Sequence, residues 1–134
     1  MKKELFGVEI YALMRNADVI GYFDVKEDKL VLNLIDGINI NTIPYIIRLN
    51  YKDNLDAALE KWVSSRLLQK DRIGIRSILN TMGISKYNKH DLFLHSHASM
   101  MKDPYWIAFK PEDKYEDCSQ RGIMGVEVSN KKRK

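Results

Sequence analysis

The sequence predicts one α+β domain, with an antiparallel β-meander first, about three helices after it and a closing strand. Short apolar segments fill the first 50 residues, the apolar spacing becomes helical after residue 53, and no Pro- or Gly-rich linker divides the chain. A length of 134 residues with 45% hydrophobic and 30% charged residues suits a single globular domain. We expect residues 1–128 to form this domain and residues 129–134 to form a basic flexible tail.

The meander is predicted from "GVEIYALM", "DVIGYFDV" and "KLVLNLI", which are rich in β-branched or aromatic residues and are separated by the turns "RNAD" and "KEDK". Asp36-Gly37 predicts a further tight turn, after which "INI" can pair back. Pro44 has no amide hydrogen to give to a ladder, so "INTIPYIIRL" is predicted to be an edge strand or a crossing segment.

Apolar residues three and four apart predict a first helix in "NLDAALEKWVSSRLLQ", with Asp53 or Asn54 as its N-cap. A second helix is predicted through "DRIGIRSILNTMG", from an N-cap at Asp71 to a left-handed Gly83. A third, shorter helix is predicted within "YNKHDLFLHSHASM", stopped by Asp103-Pro104.

The closing strand is predicted in "YWIAF". Side chains alternate along a strand, so Tyr105, Ile107 and Phe109 are expected to face the helices. Trp106 then lies on the opposite face, covered by the tail segment or exposed as an anchor for a partner. Asp103 is expected to pin the turn before the strand.

No constellation for catalysis, metal binding or cofactor binding is evident. The three histidines, His90, His95 and His97, lack the paired spacing of a zinc site, so surface imidazoles are expected. Cys118 follows Glu116 and Asp117, which disfavour a reactive thiolate. Since no glycine-rich phosphate loop is present either, we expect a protein that is not an enzyme and takes no cofactor.

The compartment expected is the cytoplasm. A single cysteine cannot form an intrachain disulfide, the N-terminus lacks the apolar core of a signal peptide, and charges interrupt every apolar run. We therefore predict no membrane association.

The net charge of +4 comes from the ends of the chain. Six of the 22 cationic residues are Lys2, Lys3 and the terminal "KKRK", and without them 16 cationic residues face 18 acidic ones. The charge of the body therefore gives little support to nucleic-acid binding.

Four cationic residues still suggest a DNA-binding alternative, because they flank the turn between the first two predicted helices: Arg66, Lys70, Arg72 and Arg76. The competing interpretation is that the arginines are structural and pair with carboxylates such as Asp71 or Asp103.

The segments "LEKWVSSRLLQKDRIGIRSILNTMGI", "MMKDPYWIAF" and "KYED" together resemble the N-terminal region of HipA-like proteins of bacteria and prophages. The similarity covers residues 8 to about 120 and is carried by ten matching positions. These positions are Trp62, Arg66, Arg72, Ile78, Leu79, Gly83, Asp103, Tyr105, Trp106 and Ile107. The chain departs from the family at Leu68-Gln69, where an isoleucine-proline step is usual. We expect no kinase domain here, so no kinase residue is carried over.

The resemblance implies a freestanding, non-catalytic module that regulates a protein partner, in an antitoxin-like manner or as an inhibitor. The implied partner is a HipA-like kinase chain or a host defence protein. We predict partner binding by Trp106, Arg66, Arg72, Arg76 and Lys70. Trp62, Asp103, Tyr105 and Ile107 are predicted to be a structural signature. The alternative is a DNA-binding regulator of a phage or mobile element that uses the arginine helices and the basic "KKRK" tail.

Overall fold

The computed structural model describes residues 4–123, and it has the predicted α+β class. Six strands are described: β1 (Glu4–Leu5), β2 (Val8–Glu9), β3 (Ala12–Arg15), β4 (Asp18–Lys26), β5 (Lys29–Leu34) and β6 (Tyr105–Ala108). Five helices are described: α1 (Tyr45–Asn50), α2 (Leu55–Arg66), α3 (Ile75–Thr81), α4 (Lys89–Ser96) and α5 (Tyr115–Cys118). The predicted tail, residues 129–134, lies outside the described residues.

A four-stranded antiparallel sheet in the order β5-β4-β3-β6 forms the centre of the fold, and β1 and β2 form a separate small hairpin. The predicted turns are confirmed: Asn16 lies between β3 and β4, and Glu27 and Asp28 join β4 to β5. These three residues have positive φ, as tight hairpin turns require. The closing strand returns to the centre and pairs with β3, with Leu13 opposite Ile107.

Different elements pack against the two faces of the sheet. Leu13 and Ile107 belong to the main core, which the helices complete with an apolar stripe from α2: Leu55, Ala58, Leu59 and Val63. Spacings of three and four residues place these α2 side chains on one face, as the sequence predicts. Residues next to Ile107 along β6 therefore point to the other side of the sheet.

The segment around Pro44 is a helix, so the predicted edge strand is wrong. Pro44 directly precedes α1, and its fixed φ suits a helix start while its missing amide hydrogen is not needed there. Ile43 and Ile47, four residues apart, are both buried. The "INI" segment also does not pair back, because a 3-10 turn at Ile40–Thr42 leads into α1.

Helices α3 and α4 are shorter than predicted. Asp71 does not cap α3, which begins only after Gly74 at a φ of 77°. The predicted left-handed residue Gly83 is confirmed, with a φ of 75°. Helix α4 ends at His97 in the left-handed conformation, well before Asp103-Pro104. The predicted proline stop is therefore wrong.

Gly21 in β4 allows the close approach of β5. A Cβ atom at this position would lie 2.7 Å from the backbone oxygen of Asn33. We expect Gly21→Ala to lower the free energy of unfolding by about 1 to 3 kcal/mol, because the backbone of a paired strand has to move. Urea unfolding measures this change. A cost below about 0.5 kcal/mol, the level of an ordinary surface substitution, would contradict the steric argument.

Candidate functional site: a cleft built on a buried arginine

Arg66 ends α2 and connects this helix to the segment that leads into β6. Its Nη1 and Nη2 groups donate to the two carboxylate oxygens of Asp103 at 2.8 and 2.6 Å, in a bidentate pair. Nε donates to the backbone oxygen of Ala98 at 2.6 Å, and Nη2 donates to that of Tyr105 at 3.1 Å. The guanidinium carbon lies 4.3 Å from the centroid of the Trp62 ring. With a side chain only 6% exposed, Arg66 is a structural residue.

The resemblance positions Trp62, Arg66, Asp103 and Tyr105 therefore come together in one cluster between α2 and β6. Asp103 also accepts a hydrogen bond from the backbone N–H of Tyr105 at 3.1 Å, which pins the turn as expected. The Tyr105 ring meets Trp62 edge to face, and its hydroxyl donates to the backbone oxygen of Thr42. This cluster fixes the position of β6 relative to the helices.

The ionisation of Asp103 makes the stability of this cluster depend on pH. Burial raises the pKa of its carboxyl, but the hydrogen bonds and charge of Arg66 outweigh that effect and leave the pKa lowered. A lowered pKa in the folded state gives stability that is fully present above the unfolded value of about 3.9 and is lost as pH falls through the folded value. We expect the stability difference between wild type and Asp103→Asn to be largest near about pH 6 and to shrink below about pH 4. Urea unfolding across this range measures it, and a difference independent of pH would contradict the assignment.

Trp106 is fully buried, so the predicted exposed anchor is wrong. It lies on the face of the sheet away from the helices, as the alternation predicts, but in a second small core with Ala12, Met14 and Ala108. Tyr115 and Cys118 of α5 pack against this core, so α5 covers it. The tail, which was the predicted cover, lies outside the described residues. The indole Nε1–H donates to the backbone oxygen of Asn16 at 2.8 Å. Trp106 cannot reach a partner without unfolding this layer.

A cleft of about 560 Å³ lies on the helical side, next to Arg66. Its walls come from the end of α2 and the loop after it, from α3 and α4, and from the loop before β6. The lining residues include Leu68, Ile78, Met82, Leu92, Met100, Met101, Arg72, Gln69, His95 and Gln120. This volume is in the range of binding pockets, and methionine side chains adapt readily to different apolar partners.

The cleft has an apolar floor and a cationic rim. Among the described residues that line it, none is Asp or Glu. Arg72 is exposed at the rim, whereas the charge of Arg66 is already neutralised by Asp103. Met101 is 51% exposed at the edge. A ligand that offers an apolar group next to an acidic one is complementary to this surface.

The predicted partner-binding residues thus separate in space. Arg66 and Arg72 both line the cleft, but the Arg66 guanidinium pairs with Asp103, whereas exposed Arg72 has no ion-pair partner among residues 4–123. Lys70 and Arg76 are exposed near it but do not line it. For the DNA-binding alternative, Arg66 is not available to contact phosphates, whereas Lys70, Arg72 and Arg76 are exposed. The "KKRK" tail of that alternative lies outside the described residues.

The structure also brings together three residues that the sequence analysis did not combine. His97, Asp113 and Cys118 are all half-buried, and their potential ligand atoms lie within 4.8 Å of one another. His97 is therefore not the surface imidazole expected from the sequence. Asp113 is 16 positions after His97, and Cys118 is 5 positions after Asp113, so no local spacing pattern predicts the cluster.

Nucleophilic catalysis by Cys118 is not supported by this geometry. Burial and the carboxylate of Asp113 raise the pKa of the Cys118 thiol, which disfavours the thiolate. Burial also lowers the pKa of His97. The Nδ1 atom of His97 lies 2.9 Å from the backbone oxygen of Ile107 but 3.8 Å from Asp113, so Asp113 does not orient this imidazole as in a catalytic triad.

No family model, curated protein or solved structure matches this chain. The likeness to HipA-like N-terminal regions is therefore a prediction from the quoted residues alone. None of the helices in residues 4–123 is long and apolar enough to cross a membrane.

Proposed function

We propose that this protein is a non-catalytic regulatory module of the cytoplasm that binds another protein through the cleft between α2, α3 and α4. The observation that carries the proposal is the combination of an apolar, methionine-rich floor with a rim that has an exposed arginine and no carboxylate among its described lining residues. Methionine and arginine are enriched at the centres of protein interfaces, where an apolar anchor and a charge pair act together.

The occupant is a protein segment with an apolar side chain beside a carboxylate. The apolar side chain enters between Met82, Leu92 and Met100, and the carboxylate pairs with Arg72. The resemblance to HipA-like proteins makes a HipA-like kinase chain or a host defence protein the partner to test first. Binding would restrain that partner, in an antitoxin-like or inhibitory role.

Comparative affinity purification from cells that naturally produce the protein tests this proposal. The cleft variant carries Arg72→Glu and Met101→Asp, and the control carries Leu49→Asp on the exposed face of α1, where Leu49 is 63% exposed. We expect mass spectrometry to find a protein that purifies with wild type and the control but is depleted at least tenfold with the cleft variant. The same set of proteins with all three chains would contradict the proposal.

A further inference from the structure

Three side chains with different donor atoms converge in a second cluster, and none of them lines the cleft. His97 follows α4, Asp113 belongs to the turn after β6, and Cys118 ends α5. Their nitrogen, oxygen and sulfur atoms lie within 4.8 Å of one another. Ligand atoms around a tetrahedral zinc ion are separated by roughly 3.5 Å, given bond lengths of about 2.0 to 2.3 Å. Small side-chain rotations would therefore bring the three atoms to ligand positions.

Neighbouring groups already orient two of these three side chains. The Nδ1 atom of His97 lies 2.9 Å from the backbone oxygen of Ile107, and its ring stacks on Phe109 at a centroid distance of 4.0 Å. An Oδ2 atom of Asp113 accepts the backbone N–H of Phe109 at 2.8 Å. Metal-binding histidines and carboxylates commonly have such second hydrogen bonds, because these fix the tautomer and the direction of the ligand.

We propose that His97, Asp113 and Cys118 form a binding site for one divalent cation of the zinc class. Imidazole, carboxylate and thiolate together are the donor set that Zn²⁺ accepts, whereas Mg²⁺ and Ca²⁺ require oxygen ligands. Three protein ligands leave the fourth position of the tetrahedron to water. Binding replaces the thiol proton of Cys118 with the metal and releases that proton to solvent.

The position of the site gives it a structural consequence. Cys118 packs against the small core of Trp106, and Asp113 lies in the segment that connects β6 to α5. A metal ion would connect the end of α4 to this covering segment by bonds from three separate elements. We expect bound metal to stabilise the layer over Trp106 and to raise the melting temperature of the domain.

Titration of the reduced, intact protein with Co²⁺ tests the site, because cobalt replaces zinc and is visible. The chain has one cysteine, so a thiolate-to-cobalt charge-transfer band can come only from Cys118. We expect this band to saturate at one Co²⁺ per chain and to disappear when Zn²⁺ is added. It should be absent in Cys118→Ser and at least tenfold weaker in affinity in Asp113→Asn and His97→Asn, because asparagine tolerates the left-handed φ of 54° at position 97.

Two matched histidine variants provide the control. His90 and His95 are both exposed and outside the cluster, so His90→Gln and His95→Gln should titrate as wild type does. An absent band at millimolar Co²⁺, or a band that keeps its affinity in Asp113→Asn and His97→Asn, would overturn the proposal. A stoichiometry of one ion per two chains would also overturn it, since the site is assigned within one chain.

Thermal unfolding gives an independent readout. At a hundredfold excess of Zn²⁺ over its dissociation constant, the melting temperature should rise by roughly 5 to 10 °C in wild type and His95→Gln. Cys118→Ser should show no such rise, although circular dichroism without metal should match wild type because serine is nearly isosteric with cysteine. An equal rise in wild type and Cys118→Ser would contradict the assignment.

Discussion

Replacing Arg66 by Leu is expected to lower the free energy of unfolding by about 3 to 5 kcal/mol, because it breaks a largely buried ion pair. The substitution leaves Asp103 without its bidentate partner and the backbone oxygens of Ala98 and Tyr105 without their donor. It also removes the contact of the guanidinium with Trp62. Chemical denaturation with tryptophan fluorescence, checked by circular dichroism, measures the change.

Two further variants separate the parts of this effect. Arg66→Lys keeps the charge but loses the planar fork, so it should be destabilised by less than Arg66→Leu. Arg66→Leu combined with Asp103→Leu removes both charges, and it should be more stable than Arg66→Leu alone because no unpaired carboxylate remains. A cost below about 1 kcal/mol for Arg66→Leu would show that the Arg66–Asp103 pair does not hold α2 to β6.

Trp106→Ala is expected to cost about 3 to 5 kcal/mol, because it removes the largest fully buried side chain of the domain and opens a cavity in the small core. Trp106→Phe keeps most of the ring but loses the hydrogen bond to the backbone oxygen of Asn16, which is in an exposed turn and can bind water instead. This variant should therefore lose less stability than Trp106→Ala. Urea unfolding of the three chains measures the order.

The control for Trp106 is an aromatic residue that is exposed rather than buried. Tyr45 is 66% exposed on α1, so Tyr45→Ala should change the free energy of unfolding by no more than about 0.5 kcal/mol. If Trp106→Ala were as mild as Tyr45→Ala, the indole would be accessible after all, and the sequence-based idea of an exposed anchor would return.

The elements that local patterns specify were predictable. Turn chemistry located the junctions at Asn16 and at Glu27 and Asp28, and helical spacing identified the buried stripe of α2. The segment after Pro44 was misjudged because Ile43 and Ile47 fit a short strand as well as one face of a helix. Only packing against α2, a tertiary effect, separates the two.

The candidate sites depended on contacts that sequence spacing does not encode. Alternation along β6 placed Trp106 on the correct face, but its burial depends on α5, which follows it in the chain. Arg66 and Asp103 are 37 residues apart, and only their pairing shows that Arg66 is structural, whereas Arg72 is exposed. The convergence of His97, Asp113 and Cys118 likewise results from the packing of three separate elements.

The central claim, that the cleft is where a protein partner binds, is tested most directly by site-specific photo-crosslinking in cells that naturally produce the protein. A photoreactive amino acid is placed at Met101 on the cleft edge or at Leu49 on α1, two positions of similar exposure. We expect a discrete covalent adduct from position 101 that is lost when Arg72→Glu is added, and no such adduct from position 49. Equal adducts from both positions, or none from position 101, would contradict the account.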